Sequence, residues 1–170
     1  RTIWRCPVVE MTRTKHVGLL YKQLQADSAK SRGGMPDYLM TFVKPGDNAN
    51  PIRHTPEDFP LDQWQEWASP VWMTINQTNV LNVKGARGEN DEKHLCPLQL
   101  DVIQRALVMW SNPGDVVLSP FMGIGSEGYE SLRAGRKFIG VELKESYWRQ
   151  ACVNLTGATA QHSLFNQEVA

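Results

Sequence analysis

Apolar and polar positions in the last seventy residues switch between two periods. "LQLDVIQRALVMW" (98–110) sets Ile103, Ala106, Leu107 and Trp110 on one face at helical spacing, which predicts an amphipathic helix. "SNPGD" marks a turn. "VVLSPF" (116–121) is a short unbroken apolar run and predicts a buried strand. A glycine-rich loop follows, and "YESLRAG" predicts a helix closed by Gly135. "KFIGVEL" predicts the next strand and "SYWRQACVNL" the next helix. This order, β-loop-α-β-α, predicts parallel strands joined by a right-handed crossover, hence an α/β fold with a Rossmann-like sheet.

The first half is less regular. "TIWRCPVVEM" predicts a short strand broken by Pro7, and Val17, Leu20, Tyr21 and Leu24 recur at helical spacing before Gly33-Gly34. "DYLMTFVK" (37–44) predicts a buried strand. Pro45, Pro51, Pro56 and Pro60 predict a long loop, taken as 44–68. "VWMTI" predicts a short strand, and the charged segment 84–93 a surface loop. No internal repeat divides the chain, so 1–170 is expected to be one domain, with 92–155 as its ligand-binding part.

Composition narrows the picture little. The chain has 170 residues, 41% hydrophobic and 21% charged, which suits a globular domain with a real core. No apolar run approaches the ~20 residues a membrane helix needs, so no membrane partner and a cytoplasmic location are expected. Cys6, Cys96 and Cys152 are odd in number and scattered, which argues for a reducing interior and against a disulfide framework or a metal site. The chain opens inside a strand-like segment, so an upstream part is expected. Net charge is zero, but residues 1–53 hold nine basic and four acidic residues. Arg13, Lys15, Lys22, Lys30 and Arg32 are therefore candidates to face a phosphate backbone.

The chemistry concentrates in "SPFMGIGSEGY" (119–129). Gly123, Gly125 and Gly128 have the spacing G-x-G-x-x-G between a predicted strand and a predicted helix, a pattern suited to a nucleotide-like cofactor. Glu142 ends the next strand nineteen residues past Gly123, where one carboxylate can accept from both hydroxyls of a ribose. Two cofactors fit: a dinucleotide and S-adenosylmethionine. Glu127 and Glu130 in the first helical turns suit the helix dipole but oppose a pyrophosphate. Pro120 and Phe121 before the glycines also favour S-adenosylmethionine.

The stretch "NPGDVVLSPFMGIGSEGYESLRAGRKFIGVELKESYWRQA", with "EKHLCPLQLDVIQRAL" before it, resembles the cofactor-binding part of DNA methyltransferases that act on exocyclic amino groups, adenine N6 or cytosine N4. In that family a strand runs into Asp-Pro-Phe-x-Gly-Ser-Gly, the next ends in Ile-Gly-x-Glu, and a His-Pro element precedes a helix. The likeness spans about 92–155 and extends more weakly to residue 1, towards phage-type members. It implies an S-adenosylmethionine-dependent methyltransferase fold, incomplete at its N-terminus, with double-stranded DNA as partner and a base flipped into a pocket. It further implies cofactor contacts by Ser119, Pro120, Phe121, Gly123, Gly125, Ser126 and Glu142, with His94 and Pro97 at the methionine end, and no metal. Ser119 stands where the family has Asp, Ile124 where Ser is usual, and Leu95-Cys96 replace Pro-Thr. The catalytic motif, Asp/Asn/Ser-Pro-Pro-aromatic, has only a near miss, "SPVW" at 69–72. The catalytic residues are therefore unknown, and the chain alone is expected to be inactive. A missing neighbour strand would leave an exposed sheet edge, where a homodimer is expected. An NAD-dependent oxidoreductase and a non-catalytic module derived from a methyltransferase are the alternatives.

Overall fold

The computed structural model describes residues 1–6, 36–82 and 96–165. The chain forms two compact units, residues 1–49 with 54–77 and residues 50–53 with 78–170.

The first unit holds a three-stranded sheet. Its centre is β1 (Thr2–Ile3), flanked by β2 (Asp37–Tyr38) and, beyond helix α1 (Leu61–Ala68), by β3 (Val71–Trp72). β1 runs antiparallel to β2 and parallel to β3, with Ile3 opposite Asp37 and Trp72. Ile3, Phe59, Trp67, Trp72 and Ile75 are its buried apolar residues. The indole N–H of Trp72 donates to the Trp67 carbonyl at 2.8 Å, so its one polar group is satisfied inside the core.

Two expectations change here. The "DYLMTFVK" strand stops at Tyr38, and Met40, Phe42 and Val43 are exposed. Its apolar run predicts a core strand, but pairing along β1 covers only two residues, and among the described residues none shields the rest. The loop starting at 44 ends at Pro60, not at 68, because α1 begins at Leu61. A Pro directly before a helix loses nothing, since the first N–H groups have no intrahelical partner. Trp67 and Trp72 are core residues, whereas Trp64 of α1 is half exposed.

The second unit contains α2 (Leu100–Trp110), β4 (Val116–Ser119), α3 (Ser126–Arg133), β5 (Lys137–Gly140) and α4 (Glu145–Phe165). β4 and β5 pair in parallel, Val116 opposite Lys137 through Ser119 opposite Gly140. This is the β-loop-α-β-α order that the sequence predicts. Leu100, Ile103 and Leu107 of α2 form a core with Leu81, Val117, Tyr129 and Ala134 against it. α3 ends in a Schellman arrangement: Arg136 N–H donates to the Ser131 carbonyl at 2.8 Å and Gly135 N–H to Leu132 at 3.1 Å.

β4 is not the buried strand its apolar run predicts. Val117 and Ser119 point to the helix-covered face, while Val116 and Leu118 are 57% and 63% exposed. Ile139 and Val141 continue that apolar face. An all-apolar run in a parallel sheet reflects cover on both faces; among the described residues only one face has it. The other edge of β4 has no strand neighbour among the described residues.

Candidate cofactor-binding site

The site forms where β4 delivers the chain to the carboxyl end of the two parallel strands. The Val141 N–H donates to the Ser119 carbonyl at 2.9 Å, and the Met122 N–H returns to the Val141 carbonyl at 2.9 Å. These bonds fold 119–122 over the tip of β5. Met122 and Ile124 then turn into the core, 5% and 2% exposed, while Phe121 between β4 and Met122 is 87% exposed. The loop is thus pinned by two alternate apolar side chains, and the aromatic ring is left free beside the site. Core and cofactor lining were both open for Phe121 from sequence; the structure excludes the core.

Gly125 is the N-cap of α3, with φ +85°. A Cβ there would strain the backbone and come within 3.1 Å of the Ala151 Cβ on α4. Gly128 lies one turn into α3, and a Cβ on it would meet both Phe138 and Leu155 at 2.6 Å. Those two glycines let α3 approach the sheet and α4 closely. Gly123 differs: a Cβ would meet nothing within 4 Å, so open space faces the loop there. Close approach of a ligand is therefore unobstructed at Gly123.

Glu142 closes the loop. One carboxylate oxygen accepts from the Gly123 N–H at 2.8 Å, and the other accepts from the Lys144 N–H at 2.8 Å. A carboxylate offers about four lone-pair sites, so two remain after these bonds. Leu143 beside it is 99% exposed. The mouth of the site is thus lined by two exposed apolar residues, Phe121 and Leu143, around an anchored acid.

Ser119 and Ser126 are both buried, at the two ends of the loop. Pro120 is exposed between Ser119 and Phe121, and Pro97 is half buried just before α2. His94 lies outside the described residues, as do Arg13, Lys15, Lys22, Lys30 and Arg32. The near-miss "SPVW" forms the end of α1 and β3: the Ser69 hydroxyl donates to the Val71 carbonyl at 2.9 Å and is used locally. Among the described residues no group of three His, Cys, Asp or Glu side chains is placed to hold a metal. No helix of the described residues is long and apolar enough to cross a membrane.

Sequence reasoning missed Asn154. Its amide donates to the Ile124 carbonyl at 2.8 Å, fixing the middle of the loop from α4, and its oxygen accepts from Gln150 at 3.0 Å. The signal was a polar side chain one turn from the buried Ala151, but only the packing of α4 on the loop gives it a role.

The donor set suits a cofactor that carries a ribose and a positive charge. It offers a carboxylate for hydroxyls, free N–H groups at the start of α3, exposed apolar surface for a base, and Glu127 in the first helical turn where a pyrophosphate would need to sit.

Comparison with known proteins shows the family. A family model described as DNA methylase, of the N6 and N4 kind, matches residues 10–152. The type II methyltransferase M1.MboII of Moraxella bovis is 30% identical over 115 residues, covering 63% of this chain and 44% of that protein. The DNA adenine methyltransferase YhdJ of Escherichia coli K12 is 27% identical over 151 residues, covering 86% of this chain and 48% of that protein. TTHA0409 of Thermus thermophilus, assigned as a DNA modification methylase and crystallised with S-adenosyl-L-methionine, superposes with a TM-score of 0.51 at 26% identity. That match covers 68% of this chain and 41% of the other. The chain therefore spans less than half the length of these relatives. The fold is the α/β, Rossmann-like fold of S-adenosylmethionine-dependent methyltransferases, represented here by part of its length. With most of its residues inside the family match, the chain belongs to the DNA methylase family that comprises adenine-N6 and cytosine-N4 methyltransferases.

Proposed function

We propose that this chain is the S-adenosylmethionine-binding part of a DNA methyltransferase that modifies the exocyclic amino group of adenine or cytosine in double-stranded DNA. The observation that carries the reading is the Glu142–Gly123 bond, which ties an acid at the tip of β5 to a glycine loop facing open space. The family match and the likeness to relatives named as DNA methyltransferases support the same assignment.

In this reading Glu142 takes the ribose hydroxyls with its two remaining lone-pair sites, while Phe121 and Leu143 flank the adenine. Pro120 sets the turn that presents Phe121. Gly123 and Gly125 admit the methionine portion to the start of α3, and the Ser119 and Ser126 hydroxyls border it. His94 and Pro97 belong to the same end. Bound S-adenosylmethionine would supply an electrophilic methyl group. The protein's share is orientation and exclusion of water around it. Arg13, Lys15, Lys22, Lys30 and Arg32 are the residues we propose for phosphate contact. No residue of the chain is assigned to the transfer step itself.

Equilibrium titration of the purified chain tests this. Binding of S-adenosylmethionine with no measurable binding of NAD is expected. Binding of NAD alone would replace the reading with an oxidoreductase. The longer protein that contains this chain is expected to incorporate labelled methyl groups into duplex DNA, and binding without incorporation would favour a non-catalytic module. Self-association through the outer edge of β4 belongs to the same reading, because that edge has no strand neighbour among the described residues and an uncovered apolar edge pairs readily. Sedimentation velocity is expected to show a dimer at micromolar concentration, and a strict monomer would remove it.

A further inference from the structure

Three consecutive residues of the loop are tied to three different places. The Met122 N–H bonds to Val141 just past β5, and the Gly123 N–H to the Glu142 carboxylate. Ile124 is held from α4 instead: the Asn154 amide donates to its carbonyl at 2.8 Å. Ile124 lies between Gly123 and Gly125, whose φ angles are +56° and +85°. Glycine populates both signs of φ about equally, so the backbone around Ile124 does not hold its own shape. The buried Ile124 side chain fixes where this residue sits, and Asn154 fixes which way its carbonyl faces.

Asn154 is itself held in one orientation. Gln150, one turn earlier on the same face of α4, donates to its side-chain oxygen at 3.0 Å, which leaves the amide N–H groups to the loop. Ala151 is fully buried and packs against Gly125, where a Cβ would come within 3.1 Å of the alanine's own. α4 therefore fits the loop in shape and bonds its backbone just before α3 begins. The open side of the loop is at Gly123, where a Cβ would meet nothing within 4 Å. The Ile124 oxygen is committed to α4 rather than to a ligand entering there.

We infer that Asn154 is a positioning residue for the amino acid portion of the cofactor. It acts through the Ile124 carbonyl, which sets the course of the chain from Gly123 to Ser126. This rests on the S-adenosylmethionine reading above and deepens it: the ribose end depends on Glu142 at the tip of β5, and the methionine end depends on α4. The two ties are separate, because the Glu142–Gly123 bond uses no group of α4. When the Asn154 tie is lost, the backbone between the two glycines samples other conformations. The apparent affinity then falls with the fraction of the protein that keeps the competent one.

The test uses wild type, N154D and N154L, each titrated with S-adenosylmethionine and with 5′-methylthioadenosine. The second probe keeps the adenosine part and lacks the amino acid portion and the sulfonium charge. Titrations are made well below the melting temperature of each variant, where a bond that serves stability alone leaves affinity unchanged. Both variants lack the donor at neutral pH and are expected to bind S-adenosylmethionine about 10-fold more weakly, and methylthioadenosine as wild type does. A protonated carboxyl regains an O–H donor, so the N154D deficit relative to wild type is expected to narrow as the pH falls towards the carboxyl range. The N154L deficit is expected to persist. Other carboxyls, Glu142 included, are common to all three proteins, so the ratio isolates position 154. Binding of S-adenosylmethionine by both variants within twofold of wild type would overturn the inference and leave the reading of the site intact. Equal weakening of both probes would show that the loop moves as one piece and overturn it too, as would an N154D deficit that ignores pH. Failure of wild type to bind either probe would instead remove the reading on which it rests.

Discussion

Replacing Glu142 by alanine is expected to weaken S-adenosylmethionine binding by about 100-fold, roughly 2.7 kcal/mol. Two losses combine. The Gly123 and Lys144 N–H groups lose their acceptors, both now at 2.8 Å, so the loop loses its tie to the tip of β5. A hydrogen bond to a charged group contributes about 1.5–3 kcal/mol. The ribose hydroxyls lose their acceptor as well. Glutamine at 142 separates the two, because its single carbonyl oxygen retains one of the acceptor roles. E142Q is therefore expected to fall between wild type and E142A, with both probes of the site weakened together. Isothermal titration with S-adenosylmethionine and methylthioadenosine measures this. Wild-type affinity in E142A would mean that the carboxylate serves the loop alone and that the ribose finds its partner elsewhere.

The largest expected effect on stability is at Arg136, far from the loop mouth. Arg136 is 9% exposed, and its guanidinium donates to the Leu107, Ser111 and Ala134 carbonyls and to the Ser111 hydroxyl. The Leu107 carbonyl also accepts the Ser111 N–H at 3.0 Å, whereas the Ser111 carbonyl, just past the end of α2, has no intrahelical partner. A buried cation there satisfies it and complements the negative end of the helix. Burial works against its charge and Asp115 supports it, but an arginine does not release its proton in a protein. Arg136→Ala is expected to cost about 3 kcal/mol, because the Ser111 and Ala134 carbonyls lose the donor that satisfies them. Arg136→Lys keeps the charge and loses the planar fork, so an intermediate cost is expected. Urea unfolding followed by circular dichroism reads both. A loss under about 0.5 kcal/mol for the alanine variant would show that water replaces the guanidinium freely.

Arg136 also shows what a sequence hides. In "LRAGRKFIG" it is one more charge after a helix-ending glycine. Its burial follows from the α3–β5 turn packing on the end of α2, 25 residues earlier in the chain. Asn154 is alike in this: its local reading is ordinary, and its role comes from the loop it ties down at the Ile124 carbonyl, far away in the chain.

The sequence by itself determined the order of elements in the second unit. Apolar spacing marks α2, glycines mark the loop and the end of α3, and short apolar runs mark β4 and β5. It also determined the chemical class of the site, because Glu142 and the glycine spacing are local to one β-loop-α-β segment. These features depend on backbone preferences and side-chain periodicity, which act over a few residues. Only the tertiary structure decided which faces are covered. It left Val116, Leu118, Ile139 and Val141 exposed on one side of the sheet, and it ended the "DYLMTFVK" strand after two residues. It turned Met122 and Ile124 inward and Phe121 outward, and it spent two lone pairs of Glu142 on the loop before any ligand arrives. An apolar run records that cover is needed, but whether cover exists is set by contacts between segments far apart in the chain. The same long-range packing seats the turn after α3 on the end of α2 and ties the glycine loop to α4.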